Sequence, residues 1–223
     1  MDDRKADTIY ELLKARAEHA PEAIAICAPG RSALTYGGLR SQVDRVGRCL
    51  NVRGVHHSDR VAIVLPNGPD MAATFVGVAA NAICAPLNPA YSRREFEFYL
   101  SDLKPKALIV QSGMNSGAVA VAEERAIAII ELSPKPGAAD GVLDWGAYHH
   151  QPAPATFSLP QANDIALILH TSGTTSRPKM VPLTHANLID SADNNYFLGL
   201  QTLGAFSNSE FYALAFFQCS VAI

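Results

Sequence analysis

Polar and apolar positions along this chain alternate between a helical and an extended period. Thr8 and Glu11 form a capping-box pattern, and Ile9, Leu12, Leu13, Ala17 and Ala20 follow at helical spacing until Pro21 ends the run. Residues 23–27 and 33–36, turned by Pro29 and Gly30, read as a short hairpin. Leu39, Val43, Val46 and Leu50 then share one helical face; Arg40, Asp44 and Arg45 fall off it, and Gly54 is placed to end the helix.

From residue 60 the strands become continuously apolar. Residues 60–65 (RVAIVL) have the composition of a strand covered on both faces of a parallel sheet, and Pro66, Asn67 and Gly68 stop it. A helix over 69–81, with proline in its first turn, and a strand over 83–87 complete a βαβ unit. Ser92 and Glu95 predict a second capping box ahead of the stripe Phe96, Tyr99, Leu100 and Leu103, followed by a strand at 107–111. A helix near 115–124 and a strand near 126–132 continue the pattern. Residues 133–140 and 151–163, crowded with proline, glycine and small side chains, read as surface connections. A strand over 164–170 (DIALILH) feeds the segment 171–179, residues 180–183 are extended, and Thr184 can cap a helix. This alternation predicts an α/β fold, a mainly parallel sheet with flanking helices and right-handed crossovers.

Composition narrows the function. The 223 residues are 48% hydrophobic and 17% charged, a globular balance that excludes a disordered or fibrous chain. Lys plus Arg is 18 and Asp plus Glu is 21, so the net charge is 18 − 21 = −3, and nucleic acid is not an expected partner. Cys27, Cys49, Cys84 and Cys219 show neither CxxC nor zinc-finger spacing, as expected of reduced thiols in a cytoplasmic protein. The charged N-terminal stretch lacks the apolar centre of an export signal. The longest apolar stretch, 71–87, is broken by Asn81 and Pro86, so no transmembrane segment is expected.

The densest chemistry lies in TSGTTSRPK, residues 171–179. Thr171, Ser172, Thr174, Thr175 and Ser176 supply hydroxyl donors, Gly173 lets backbone N–H groups approach an anion, and Lys179 adds a compact charge behind Pro178. Such a set suits a polyphosphate. It is not a Walker A loop, which needs a glycine before the lysine and a hydroxyl after it, where Pro178 and Met180 stand. His56–His57 and His149–His150 lack helical metal-pair spacing, Trp145 and Tyr148 read as a packing patch, and no GxSxG elbow supports a hydrolase. His185 at a helix start fits packing as well as function.

HTSGTTSRPKMVPLTHANL at 170–188, with LTYGGL at 34–39, the block at 59–91 and the following EFEFYLSD, resembles the AMP-forming acyl-activating (adenylate-forming) superfamily, in particular its acid-CoA ligase branch. The TTSRPK form is most similar to the oxalate-CoA ligase group. The resemblance implies two steps: a carboxylate attacks the α-phosphorus of ATP to give acyl-AMP and pyrophosphate, then the thiol of coenzyme A displaces AMP. It assigns Thr171, Ser172, Gly173, Thr174, Thr175, Ser176 and Lys179 to the β- and γ-phosphates of ATP with Mg2+, with Arg177 beside them as a second cation. A small-molecule carboxylic acid is the implied partner; no catalytic residue and no protein metal ligand is assigned. Met180 replaces a glycine common in the family, and strain is expected there if the position needs positive φ.

Family members are commonly more than twice this length. The resemblance places their acid pocket, adenine segment, acidic magnesium motif, ribose-binding aspartate and catalytic lysine beyond the phosphate loop, where this chain has no match. Residues 1–193 therefore read as part of an N-terminal AMP-binding domain. Residues 194–223, without Lys or Arg and ending in an apolar run, read as a divergent tail from a shifted frame or an alternative C-terminus. Such a chain is expected to be inactive alone. The other reading is a non-catalytic nucleotide-binding or interaction protein; neither names the acid or an oligomeric state.

Overall fold

The computed structural model describes residues 6–28, 32–134, 137, 139, 141–145, 158–171 and 178–192. Residues 172–177, Tyr148, His149, His150 and the tail from 193 onward, with the domain boundary drawn there, lie outside the described residues.

Helix α1 (Ile9–His19) precedes a two-stranded antiparallel hairpin, β1 (Ile24–Ile26) and β2 (Leu34–Thr35), and α2 (Tyr36–Val52). The units β3 (Arg60–Val64), α3 (Pro69–Ala79), β4 (Ile83–Pro86), α4 (Arg93–Leu103), β5 (Ala107–Gln111), α5 (Gly117–Glu124) and β6 (Ala128–Pro134) follow. Then come β7 (Leu143–Asp144), β8 (Ile165–Thr171), β9 (Lys179–Thr184) and a helix over 185–192, named α6 here. The second sheet has seven strands in the order β7-β6-β5-β3-β4-β8-β9. Strands β6, β5, β3, β4 and β8 are parallel, and β7 and β9 add antiparallel edges. The expected α/β fold with a mainly parallel sheet is therefore present.

The continuous apolar runs are explained by two cores, one on each face of the sheet. Val61, Ile63, Ala107 and Ile109 face the core shared with α1, α2 and α3, whereas Ala62, Val64, Leu108 and Val110 face α4 and α5. Each fully buried Val, Leu or Ile contributes roughly 1.5–3 kcal/mol, so a strand dry on both faces has no place for a polar residue.

Local signals set the helix ends. At α4 the Ser92 Oγ accepts from the Glu95 N–H while the Glu95 carboxylate accepts from the Ser92 N–H, the full reciprocal box. At α1 only half of the expected box forms: Thr8 Oγ1 accepts from the Glu11 N–H at 3.2 Å, but the Glu11 carboxylate takes the Asp7 N–H instead, at 3.0 Å. Past α2, Gly54 at φ 71° lets its N–H reach the Asn51 carbonyl and the Val55 N–H reach Leu50, which closes the helix where expected.

Three boundaries differ from the sequence reading. Tyr36 opens α2 instead of ending a strand, because Thr35 caps the helix through Gly38 N–H. Ala126, at φ 53°, turns the chain so that β6 begins at Ala128 and runs to Pro134, and Ser133 pairs with Asp144 where a connection was expected. Met180 lies in β9 opposite His170, and it is absent from the described non-glycine residues at positive φ, so the expected strain does not arise.

Candidate functional site

Parallel strands gather their C-terminal ends on one edge. From that edge β3 leaves toward α3 on one face while its neighbour β4 leaves toward α4 on the other. Connections that diverge from adjacent strands open a crevice, the usual ligand position in open α/β sheets. A cavity of about 600 Å³ runs from this crevice, at Leu65, Asn67, Leu87 and His170, to the apolar side chains of Leu12 on α1 and Ile26 on β1.

The hydroxyl-rich segment leaves from the same edge. Strand β8 runs parallel to β4, so its C-terminal end, Thr171, joins this rim. Thr171 pairs with Lys179 across the antiparallel β8–β9 ladder, which brings the two ends of the segment together. Lys179 is exposed and Thr171 partly so. Ser172, Gly173, Thr174, Thr175 and Ser176 lie outside the described residues; Thr171 and Lys179 fix where the segment starts and ends. A lysine beside hydroxyl donors at the open edge of a sheet fits the oxygens of a polyphosphate.

Past Lys179 the backbone is tied down. Thr184 and Asn187 form a reciprocal cap, each side chain accepting the other's N–H, at 3.2 and 3.1 Å. This cap seats α6 and turns His185 inward, fully buried, where its Nδ1 accepts the Ile9 N–H at the start of α1 (3.3 Å). Burial, opposed by Asp164 and Glu11 and reinforced by His57, lowers its pKa to about 4. His185 is thus a packing histidine. His57 lies beside Asp164, with Nδ1 3.3 Å from Oδ2, while His56 is exposed. Trp145 is buried in the core with α1, α2 and α3, as a packing residue should be.

One group was not singled out by sequence. His170, at the end of β8, sets Nε2 3.4 Å from Asp102 Oδ2 of α4 and packs edge-on against Tyr99, with ring centroids 4.8 Å apart. Burial lowers its pKa, with Asp102 opposing. Tyr99 in turn stacks on Tyr91 at 4.7 Å, and burial with the neighbouring Tyr99 pushes the Tyr91 phenol up to about 12. The signal available was a polar residue closing an otherwise apolar strand. Its partner lies 68 positions earlier, a pairing visible only once the sheet is assembled.

A model of the AMP-binding enzyme family matches residues 13–215. The chain belongs to that family. An oxalate–CoA ligase of Arabidopsis thaliana is 37% identical over 191 residues, 85% of this chain and 37% of the relative. A probable CoA ligase, CCL9, of Humulus lupulus is 37% identical over 199 residues, covering 84% of this chain and 36% of the relative. The fold of this AMP-binding chain is also that of ATP-bound MatB from Rhodopseudomonas palustris: TM-score 0.68 and 24% identity, over 87% of this chain and 37% of that one. The chain thus spans a little over a third of the length of the relatives it matches. No described helix is long and apolar enough to cross a membrane.

Proposed function

We propose that this AMP-binding chain is the phosphate-gripping portion of an ATP-dependent acid-CoA ligase acting on a small carboxylic acid, with oxalate the first acid to try. The observation that carries the reading is the Thr171–Lys179 closure of a hydroxyl-rich segment at the C-terminal rim of the parallel sheet. The family match and the names of its relatives support the rest.

In this reading Thr171, Ser172, Gly173, Thr174, Thr175, Ser176 and Lys179 hold the β- and γ-phosphates of ATP, and Arg177 flanks them. Magnesium, when bound, supplies charge neutralisation on those phosphates. The protein groups stabilise pyrophosphate as it departs when the acid carboxylate attacks the α-phosphorus, which is positioning and electrostatics, not bond making by a side chain. Coenzyme A then takes the acyl group from acyl-AMP. Groups for the acid, the adenine and the thiol step belong to the portion of the relatives that this chain does not span. We assign residues 1–193 to the N-terminal part of the AMP-binding domain of a cytoplasmic protein and keep 194–223 as a segment apart for its composition, although the family match runs on to residue 215, and we expect no thioester synthesis from the 223 residues alone.

Competition calorimetry tests the grip. If the loop holds the β- and γ-phosphates, magnesium pyrophosphate displaces ATP from the chain and AMP at the same concentration does not. Displacement by AMP as readily as by pyrophosphate would contradict the assignment, and acyl-CoA formation by the chain alone would contradict the expectation that these residues make no thioester.

A further inference from the structure

The β8–β9 hairpin outruns the sheet that should support it. Strand β4 contacts β8 through the pair Cys84 and Leu167, and the pairings beyond it, from Ile168 to Thr171, are made with β9. The end that carries the phosphate segment is therefore held by the β9 ladder and by side chains on each face. On one face Leu169 packs on the core shared with α1, α2 and α3. On the other stands His170, its side chain only 4% exposed, against Tyr99 and Asp102 of α4. Tyr99 is stacked within 15° of parallel on Tyr91 from the loop after β4. The β4–α4 connection, which carries Tyr91, Tyr99 and Asp102, is thus joined to the end of β8 through one imidazole.

We propose that Asp102 and His170, backed by Tyr99 and Tyr91, form a bracket that sets Thr171 and Lys179 in register, with His170 as a positioning residue for the phosphate-binding loop; the functional part of this proposal rests on the reading above. The chemistry suits the task. A neutral imidazole donating Nε2–H to the Asp102 carboxylate fixes both the ring's tilt and the strand's offset from α4, as a carboxylate does for a working histidine elsewhere. With Nε2–H given to Asp102, Nδ1 is left as a buried acceptor without a partner among the described residues, which makes the Asp102 contact the one described hydrogen bond that orients the ring.

Amide hydrogen exchange on the full 223-residue chain, with MgATP titration beside it, tests the bracket. His170→Phe and Asp102→Ala each raise exchange in the β8–β9 segment about tenfold and weaken MgATP binding about tenfold, as loss of a hydrogen bond to a charged group does. Asp102→Asn, which keeps an acceptor, restores most of both. The double variant is no worse than either single one, because the two groups act as a unit. Exchange at wild-type rates in the single variants, or a rise spread evenly over α1, β1 and β2 as well, overturns the bracket. Absence of MgATP binding by the wild-type chain overturns the ATP reading instead, and the exchange data still decide the bracket.

Discussion

His185 shows how one residue can read as functional and be architectural. It sits in the most recognisable stretch of the chain, yet it is fully buried and spends its ring nitrogen on the first N–H of α1. Folding holds its pKa at about 4, below the ordinary 6.5, so the unfolded chain takes up a proton first as pH falls. The contribution of this group is complete above about pH 7 and is lost between about pH 6.5 and 4, by roughly 2–4 kcal/mol. Urea unfolding at pH 7 and at pH 4.5 measures it: His185→Gln should be less stable at pH 7 but lose less on acidification. Equal losses in both proteins would assign the acid sensitivity to other groups. His170 is the converse case, a residue passed over in sequence that the fold sets against α4 at the end of β8, next to Thr171.

At the scale of elements, the close approach of α2 and α3 depends on two glycines. A Cβ on Gly47 would strike the Asn81 side-chain oxygen, and one on Gly77 would come within 2.6 Å of a Val46 methyl. Asn81 is itself engaged, donating to the Val43 and Gly77 carbonyls at 3.1 and 2.8 Å. Gly47→Ala should therefore destabilise by about 1–3 kcal/mol, although alanine is the better helix former by about 1 kcal/mol. Thermal unfolding checks this; a variant as stable as wild type would mean that the helices separate at little cost. Periodicity showed the α2 stripe but not this contact, since a glycine in a helical run carries no sign of what lies across from it. The same limit explains the misplaced ends of β6. A left-handed Ala126 and a two-residue edge strand at Leu143 leave no periodic trace, whereas the dry central strands β3 and β5 could be read directly. The loop was legible for a different reason: hydroxyls, glycine and lysine so closely spaced are chemistry without a packing explanation. The bracket beneath it was not, because Asp102 and His170 meet only through the crossover that carries α4 to the opposite face from α3.

Among the described residues a seven-stranded α/β sheet has a core on each face, a divergent pair of connections at its centre and, at the same rim, the ends Thr171 and Lys179 of the hydroxyl-rich segment. The chain spans a little over a third of the relatives it matches, so the proposed phosphate grip is tested by nucleotide binding and not by turnover. The most direct test is a thermal melt of the purified chain with and without MgATP, repeated for Lys179→Ala. A cooperative transition raised by nucleotide is predicted: ligand at about a hundred times its dissociation constant adds roughly 2.7 kcal/mol, or several degrees for a chain of this size. The Lys179→Ala melt should match wild type without nucleotide and show little or no rise with it. A wild-type melt that MgATP leaves unmoved, or an equal rise in the variant, would contradict the claim that this loop grips the phosphates of ATP.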